Sequence, residues 1–333
     1  MRSDRFSGEN KKFNTQIASH LANNLENSLR ELRRCGAHRS SKATFTEMGI
    51  QLSGFKNDLA ENNKFNALVG NAWIDNEADY YLPAAEMTVD VQRQEQEVTT
   101  YVLNDHGNNQ RIIMYLTGGA YIQRPDKTHW QYLNRLAIAT DAKIYVPIYS
   151  LVPHTTFRTA YQEIASLYSK IYTLMPASKV TIMGDSAGGG LAAGFCEYLG
   201  KKGLPQPGHL ILFSPWLDLD LTNPLISKYE DKDVTLAVKG LRKIGTMWAG
   251  DTDHQDYRLS PLYGNLDQLR DVTVFVGTRE IMYPDVTLFV QKLRDAGITV
   301  NSYTGRGLFH IYPLYQIPEA KGVMKRVVAT INN

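Results

Sequence analysis

The sequence predicts an α/β fold, a mainly parallel central sheet with helices on both faces. Three observations predict it. Short, continuous apolar runs recur from residue 111 onward, which is how strands buried on both faces read. Segments with apolar residues at helical spacing lie between them, and parallel strands need crossovers of that kind. The chain is 333 residues long and 43% hydrophobic, enough to close a large core around such a sheet.

Taken in order, residues 13–81 are polar-rich, with Ile17, Leu21, Leu25, Leu29 and Leu32 at helical spacing, and read as helices. From residue 86 the character turns to β. Residues 87–91 and 98–103 alternate apolar and polar and suit an antiparallel edge pair. Strands are then expected at 111–116, 142–148, 180–183, 209–213 and 272–276, with a β-like run at 299–303. Helices are expected at 131–139, 160–174, 187–200, 284–296 and 321–331. Residues 218–258 follow a strand yet return none, so they read as a helical insertion. The expected division is an N-terminal helical region over residues 1–85 and an α/β domain over residues 86–333 that carries the insertion.

Composition removes several classes of function. Net charge is +2 with no run of five or six like charges, so no nucleic-acid surface is indicated. Cys35 and Cys196 cannot build a disulfide framework and have no metal-ligand spacing, which suits a reduced, cytoplasmic protein without a metal. The longest mostly apolar stretch, residues 112–122, falls short of the ~18 residues of a membrane span. The first twelve residues are charged and polar and lack the apolar region of a secretory signal. The composition is compatible with a homo-oligomer.

Chemistry in an open parallel sheet gathers at the carboxyl ends of the strands, here the loops after Leu116, Met183, Phe213, Val276 and Tyr303. After Met183 comes Gly184-Asp185-Ser186-Ala187-Gly188, a G-x-S-x-G pattern between a strand and a helix. Such a turn exposes a nucleophilic serine, here Ser186, and small neighbours let the backbone pass closely. After Leu116, Thr117-Gly118-Gly119-Ala120 can present N–H groups, so Gly118 and Gly119, with the N–H of Ala187, are the expected oxyanion donors. After Val276, the loop holds two carboxylates, Glu280 and Asp285. Pro284 suits the first helical turn, where Asp285 already has a structural use. Glu280 lies nearer the strand end and is the preferred triad acid. His310, in the glycine-rich loop 305–310, follows both the serine and the acid and is the base.

These segments carry a resemblance. Tyr115-Leu116-Thr117-Gly118-Gly119-Ala120-Tyr121 resembles the His-Gly-Gly oxyanion loop of α/β-hydrolase esterases of the hormone-sensitive-lipase-like family. Gly184-Asp185-Ser186-Ala187-Gly188-Gly189 resembles that family's nucleophile motif, and Ser214-Pro215-Trp216-Leu217-Asp218 and Ser260-Pro261-Leu262-Tyr263 resemble further landmarks. The likeness runs from residue 87 to the C-terminus, and the order Ser186, Glu280, His310 is that of the fold. It implies hydrolysis of a small-molecule carboxylic ester, a helical cap over the acyl site and no cofactor. Two residues depart from the family's pattern: Thr117 stands where it has His, and Glu280 where Asp is usual.

Among aromatic residues near these loops, Tyr80, Tyr81, Trp130, Trp216, Tyr283 and Phe309 are pocket candidates, and Trp216, Tyr121 and Tyr283 are the substrate-binding expectation. Cys196 reads as a buried small hydrophobe and Asp185 as a solvated or structural residue. Residues 188–193 also satisfy the dinucleotide pattern G-x-G-x-x-A, but the first glycine comes too late after the strand. Residues 251–256 faintly suggest a calcium loop and lack its glycine. A peptidase or amide hydrolase would share the triad, and a binding protein on the same fold needs no chemistry.

Overall fold

A computed structural model describes residues 39–107 and 110–332. The helical spacing from Ile17 to Leu32, and Cys35, lie outside the described residues.

Eight strands form one sheet: β1 (Val91–Gln94), β2 (Thr100–Leu103), β3 (Ile112–Leu116), β4 (Lys143–Pro147), β5 (Val180–Asp185), β6 (His209–Phe213), β7 (Val272–Gly277) and β8 (Val300–Gly305). Their order is β1-β2-β4-β3-β5-β6-β7-β8. β2 runs antiparallel to both β1 and β4, and every other neighbouring pair is parallel. Each residue of β3, β4, β5, β6 and β7 is buried, which is why these strands read as unbroken apolar runs.

The first strand departs from expectation. Residues 87–89 are not in it, because Asn134 Oδ1 accepts the Thr88 N–H at 2.8 Å and the Val89 N–H at 3.3 Å. Met87, Val89 and Val91 do pack against a core, so their alternation was real, but ahead of Val91 the backbone partner is a helix side chain rather than a strand.

The sheet divides two apolar clusters. In β3, Ile112, Met114 and Leu116 face one cluster while Ile113 and Tyr115 face the other, following the period of two along a strand. The first cluster takes Leu191 and Phe195 from the helix Ser186–Lys201; the second takes Leu133 and Leu136 from Lys127–Thr140. The helices Phe157–Leu174, Tyr283–Asp295 and Pro318–Asn332 complete the two faces. Residues 218–258 hold the short helix Ser227–Glu230 and the longer Val238–Ala249, and no strand.

Among the described residues, three α-helices lie ahead of the sheet, α1 (Ser41–Ser53), α2 (Phe55–Ala60) and α3 (Asn62–Glu77). Ser40 caps α1 by accepting the Ala43 N–H and ties it to Glu319 through its own N–H and hydroxyl. The buried face of α1 is Ala43, Thr44 and Glu47. Glu47 accepts from Arg39 at 2.6 Å and from Arg279 at 2.8 Å, and Arg39 also donates to the Gly307 carbonyl at 3.0 Å. Lys56 of α2 donates to the Glu230 and Asp233 carbonyls, joining the N-terminal helices to the insertion.

Candidate active site

β5 ends at Asp185 and the next helix begins at Ser186, with no residue between them to turn the chain. The turn is made within Ser186 itself, whose φ of 52° lies in the left-handed region that costs an L residue about 1–3 kcal/mol. Two glycines make this tolerable. A Cβ at Gly184 would run into the Gly188 carbonyl, and one at Gly188 into the Leu116 carbonyl, so neither position has room for a side chain.

The loops after β7 and β8 bring two more groups to Ser186. His310 Nε2 lies 2.8 Å from Ser186 Oγ, and His310 Nδ1 lies 2.6 Å from Glu280 Oε2. The other carboxylate oxygen, Glu280 Oε1, accepts from the Gly277 N–H at 2.6 Å and from Ser214 Oγ at 2.8 Å. Ser214 Oγ in turn accepts the Ile311 N–H at 3.1 Å, so one hydroxyl ties the acid to the residue after the histidine. Burial opposes charge on His310, but the Glu280 carboxylate in contact with it, helped by Asp233 and Asp185, outweighs that and holds its pKa above the ordinary histidine value.

Asp285 sits apart. It is fully buried in the first turn of Tyr283–Asp295, and neither carboxylate oxygen is paired there; the neighbouring Asn223 side chain favours its charged form, against burial. Its place in the first helical turn is the one expected, although its carboxylate makes no hydrogen bond to the free N–H groups there. Burial, with the Asp218 charge adding to it, pushes its pKa up to about 7.

The glycine loop after β3 also differs from expectation. The Gly118 N–H is occupied, donating to Asp185 Oδ1 at 3.1 Å, whereas no acceptor is recorded for the Gly119 and Ala187 N–H groups among the described residues. Asp185 is fully buried, not solvated. It also accepts from Tyr115 Oη at 3.0 Å and faces His129 Nε2 at 3.3 Å. His129 Nδ1 lies 2.7 Å from Asp126 Oδ1. Burial disfavours charge on His129, but the Asp185 and Asp126 carboxylates outweigh it and lift its pKa to about 10.

A cavity of about 550 Å³ opens over Ser186 and His310. Its roof is one face of α1, Thr46, Gly49, Ile50 and Ser53, and its wall includes Thr235 and Leu236 of the insertion. The aromatic expectation is corrected here. Tyr121 and Trp216 are 1% exposed and belong to the core, with Tyr121 stacked between Trp216 at 5.4 Å and Trp248 at 4.3 Å. Tyr283 packs on Tyr229 at 5.4 Å, and none of the three lines the cavity. Tyr80 and Tyr81 line an adjoining cavity of about 870 Å³, while Trp130 and Phe309 are buried in the core. Cys196 is buried, and burial pushes its thiol pKa far up.

Sequence reasoning did not single out Ser214, His129 or Asp233. Ser214 had a signal, since it opens the loop after β6 and the segment 214–218 that carried the resemblance. Asp233 had none: Oδ1 accepts the Thr235 and Leu236 N–H groups and Oδ2 the Ile281 N–H, stitching the cavity wall to the residue after Glu280.

Comparison with known proteins agrees with this architecture. The family described by the α/β-hydrolase fold matches residues 113–314. An acetyl-hydrolase of Streptomyces hygroscopicus is 27% identical over 214 residues, 63% of this chain and 72% of that protein. An esterase of Acinetobacter venetianus is 29% identical over 215 residues, 63% of this chain and 71% of that one. The crystal structure of a hormone-sensitive-lipase homologue from a metagenome library superposes with a TM-score of 0.74 at 23% identity, covering 88% of this chain and 98% of its own, which bears on the fold. With its sheet order, strand-to-helix serine turn and matched residues together, the chain belongs to the α/β-hydrolase fold family.

Proposed function

We propose that the protein is a serine carboxylic-ester hydrolase acting on short- to medium-chain acyl esters. The observation that carries this reading is the unbroken line from Glu280 through His310 to Ser186, with contacts of 2.6 and 2.8 Å, at the floor of a cavity. Ser186 Oγ would attack the ester carbonyl while its proton passes to His310 Nε2. The Nδ1–H of His310 donates to Glu280, which fixes the tautomer that leaves Nε2 free to accept. The alcohol departs with the proton from His310, and a water activated by the same nitrogen releases the acyl group. Gly119 and Ala187 are our oxyanion donors, because their N–H groups are open where that of Gly118 is spent on Asp185.

A cavity of about 550 Å³ has room for a small-molecule ester, and the relatives named acetyl-hydrolase and esterase support the reaction class over amide hydrolysis. The N-terminal helices would act as a cap, since one face of α1 roofs the cavity. No helix among the described residues is long and apolar enough to cross a membrane; a cytoplasmic location is our reading from the sparse cysteines.

The test is hydrolysis of p-nitrophenyl acetate, butyrate and octanoate by the wild type and by Ser186→Ala, Glu280→Ala and Asp285→Ala. Turnover is expected to vanish in Ser186→Ala, to fall steeply in Glu280→Ala and to decline with chain length. Absence of any serine-dependent ester turnover, with cleavage of an anilide or peptide instead, would transfer the reading to an amide hydrolase.

A further inference from the structure

Asp185, next to the nucleophile, is a buried carboxylate that the mechanism above does not use. Its surroundings give it a purpose. The peptide unit joining Thr117 to Gly118 is held at both ends: the Thr117 carbonyl accepts from Tyr149 Oη at 2.6 Å, and the Gly118 N–H donates to Asp185 Oδ1 at 3.1 Å. A peptide unit is planar, so fixing its two polar ends fixes the whole plane and with it the direction in which the chain leaves toward Gly119. Gly118 itself is crowded by Asp185, since a Cβ there would collide with Asp185 Oδ2. The glycine at 118 thus admits the carboxylate, whereas the one at 119, with φ of 127°, takes a backbone conformation that a side chain would strain.

A buried carboxylate keeps such a post only if its charge is matched. His129, from the helix Lys127–Thr140, matches it: its ring bridges Asp185 on one side and Asp126 on the other. Tyr115 Oη, from β3, donates to the same oxygen that holds Gly118. No side chain of the loop takes part, so the arrangement does not need a histidine at position 117.

We propose that Asp185 is a positioning residue for the oxyanion loop, clamping one peptide unit together with Tyr149 and held in place by His129 as counter-ion. It touches no reacting atom. Its effect is on how well the Gly119 N–H meets the negative oxygen that develops in the transition state. This rests on the reading of Ser186 as nucleophile.

The experiment compares wild type, Asp185→Asn, Asp185→Ala, Tyr149→Phe and Ser186→Ala on p-nitrophenyl butyrate, with kcat and KM resolved. Binding of a reversible trifluoromethyl ketone, which mimics the tetrahedral oxyanion, and thermal unfolding are measured alongside. A donor misplaced from an oxyanion hole costs about 10²-fold or more in kcat. Asp185→Ala is expected to lose about that much, and Asp185→Asn, which can still accept from the Gly118 N–H, to recover about tenfold of it. Tyr149→Phe should share the signature, with kcat and ketone affinity falling together and KM within about twofold, because only transition-state contacts are lost.

A purely structural role would lower the unfolding temperature without that split. Serine-dependent turnover with unchanged kcat in both Asp185→Ala and Tyr149→Phe, or a loss confined to KM, overturns the proposal and leaves the nucleophile reading intact. Turnover that survives Ser186→Ala removes both.

Discussion

Replacing each of the two acids that follow β7, Glu280 in the loop and Asp285 in the first turn of the next helix, by its amide should give opposite results, and the size of each follows from its surroundings. In Glu280→Gln, the oxygen facing Gly277 and Ser214 can be kept, so the amide nitrogen is turned toward His310 Nδ1. That nitrogen must then accept, which moves the imidazole proton to Nε2, opposite Ser186 Oγ, where a base is needed. Locking the wrong tautomer costs about 10⁴-fold in kcat, or about 5.5 kcal/mol.

Asp285→Asn acts on stability instead. Its carboxyl pKa rises from 3.8 to about 7 on folding, so the folded chain keeps a proton that the unfolded chain has lost across that interval. Stability therefore falls as pH rises from about 4 to about 7, by up to about 4 kcal/mol. The amide removes this penalty above pH 7, while its own unmet hydrogen bonds take back about 1–3 kcal/mol. Asp285→Asn should hence be more stable than wild type at pH 8, by about 1–3 kcal/mol, with no such gain at pH 4. Urea unfolding at the two pH values, with p-nitrophenyl butyrate turnover at pH 8, reads both effects. Lost turnover in Asp285→Asn with turnover kept in Glu280→Gln would refute the assignment of the acid.

Further outcomes follow from the same geometry. Because Glu280 holds the His310 pKa above the ordinary 6.5, kcat/KM should fall on acidification with a midpoint above that value; a midpoint at or below 6.5 in Ser186-dependent hydrolysis would contradict it. Ser214→Ala removes a donor to Glu280 and an acceptor for the Ile311 N–H, and should cost about 1–3 kcal/mol of stability by denaturant titration together with a clear drop in kcat. In a Cys35→Ser background, Ellman's reagent should leave Cys196 unmodified until denaturant is added, since its thiol is buried and its pKa is pushed up.

Much of this was legible in the sequence because burial on both faces writes itself as composition. Residues 209–213 were a continuous apolar run and are β6. The elements that carried no such signal were those whose meaning depends on a distant partner. The alternation of Met87 and Val89 cannot disclose that the backbone N–H groups of Thr88 and Val89 pair with Asn134. Trp216 follows a strand end, as a pocket residue would, yet it faces Tyr121 and the core, and nothing local distinguishes the two directions. The cavity roof of Thr46, Gly49 and Ser53 is small and polar, which in one dimension reads as an ordinary solvent-facing helix. The occupied Gly118 N–H depended on the position of a side chain sixty-seven residues away.

The attachment of α1 bears on how esters reach the serine. Arg39 and Arg279 converge on Glu47, and Arg39 also reaches the Gly307 carbonyl, so the roof is riveted to the loops that bear Glu280 and His310. These side chains are 2–12% exposed, and parting a buried ion pair of this kind costs about 3–5 kcal/mol. A roof fixed in that way does not swing open when it meets an oil surface. The rate should therefore climb smoothly with dissolved ester and saturate, without a jump at the concentration where droplets form, and lifting the roof would disarm the very loops it covers.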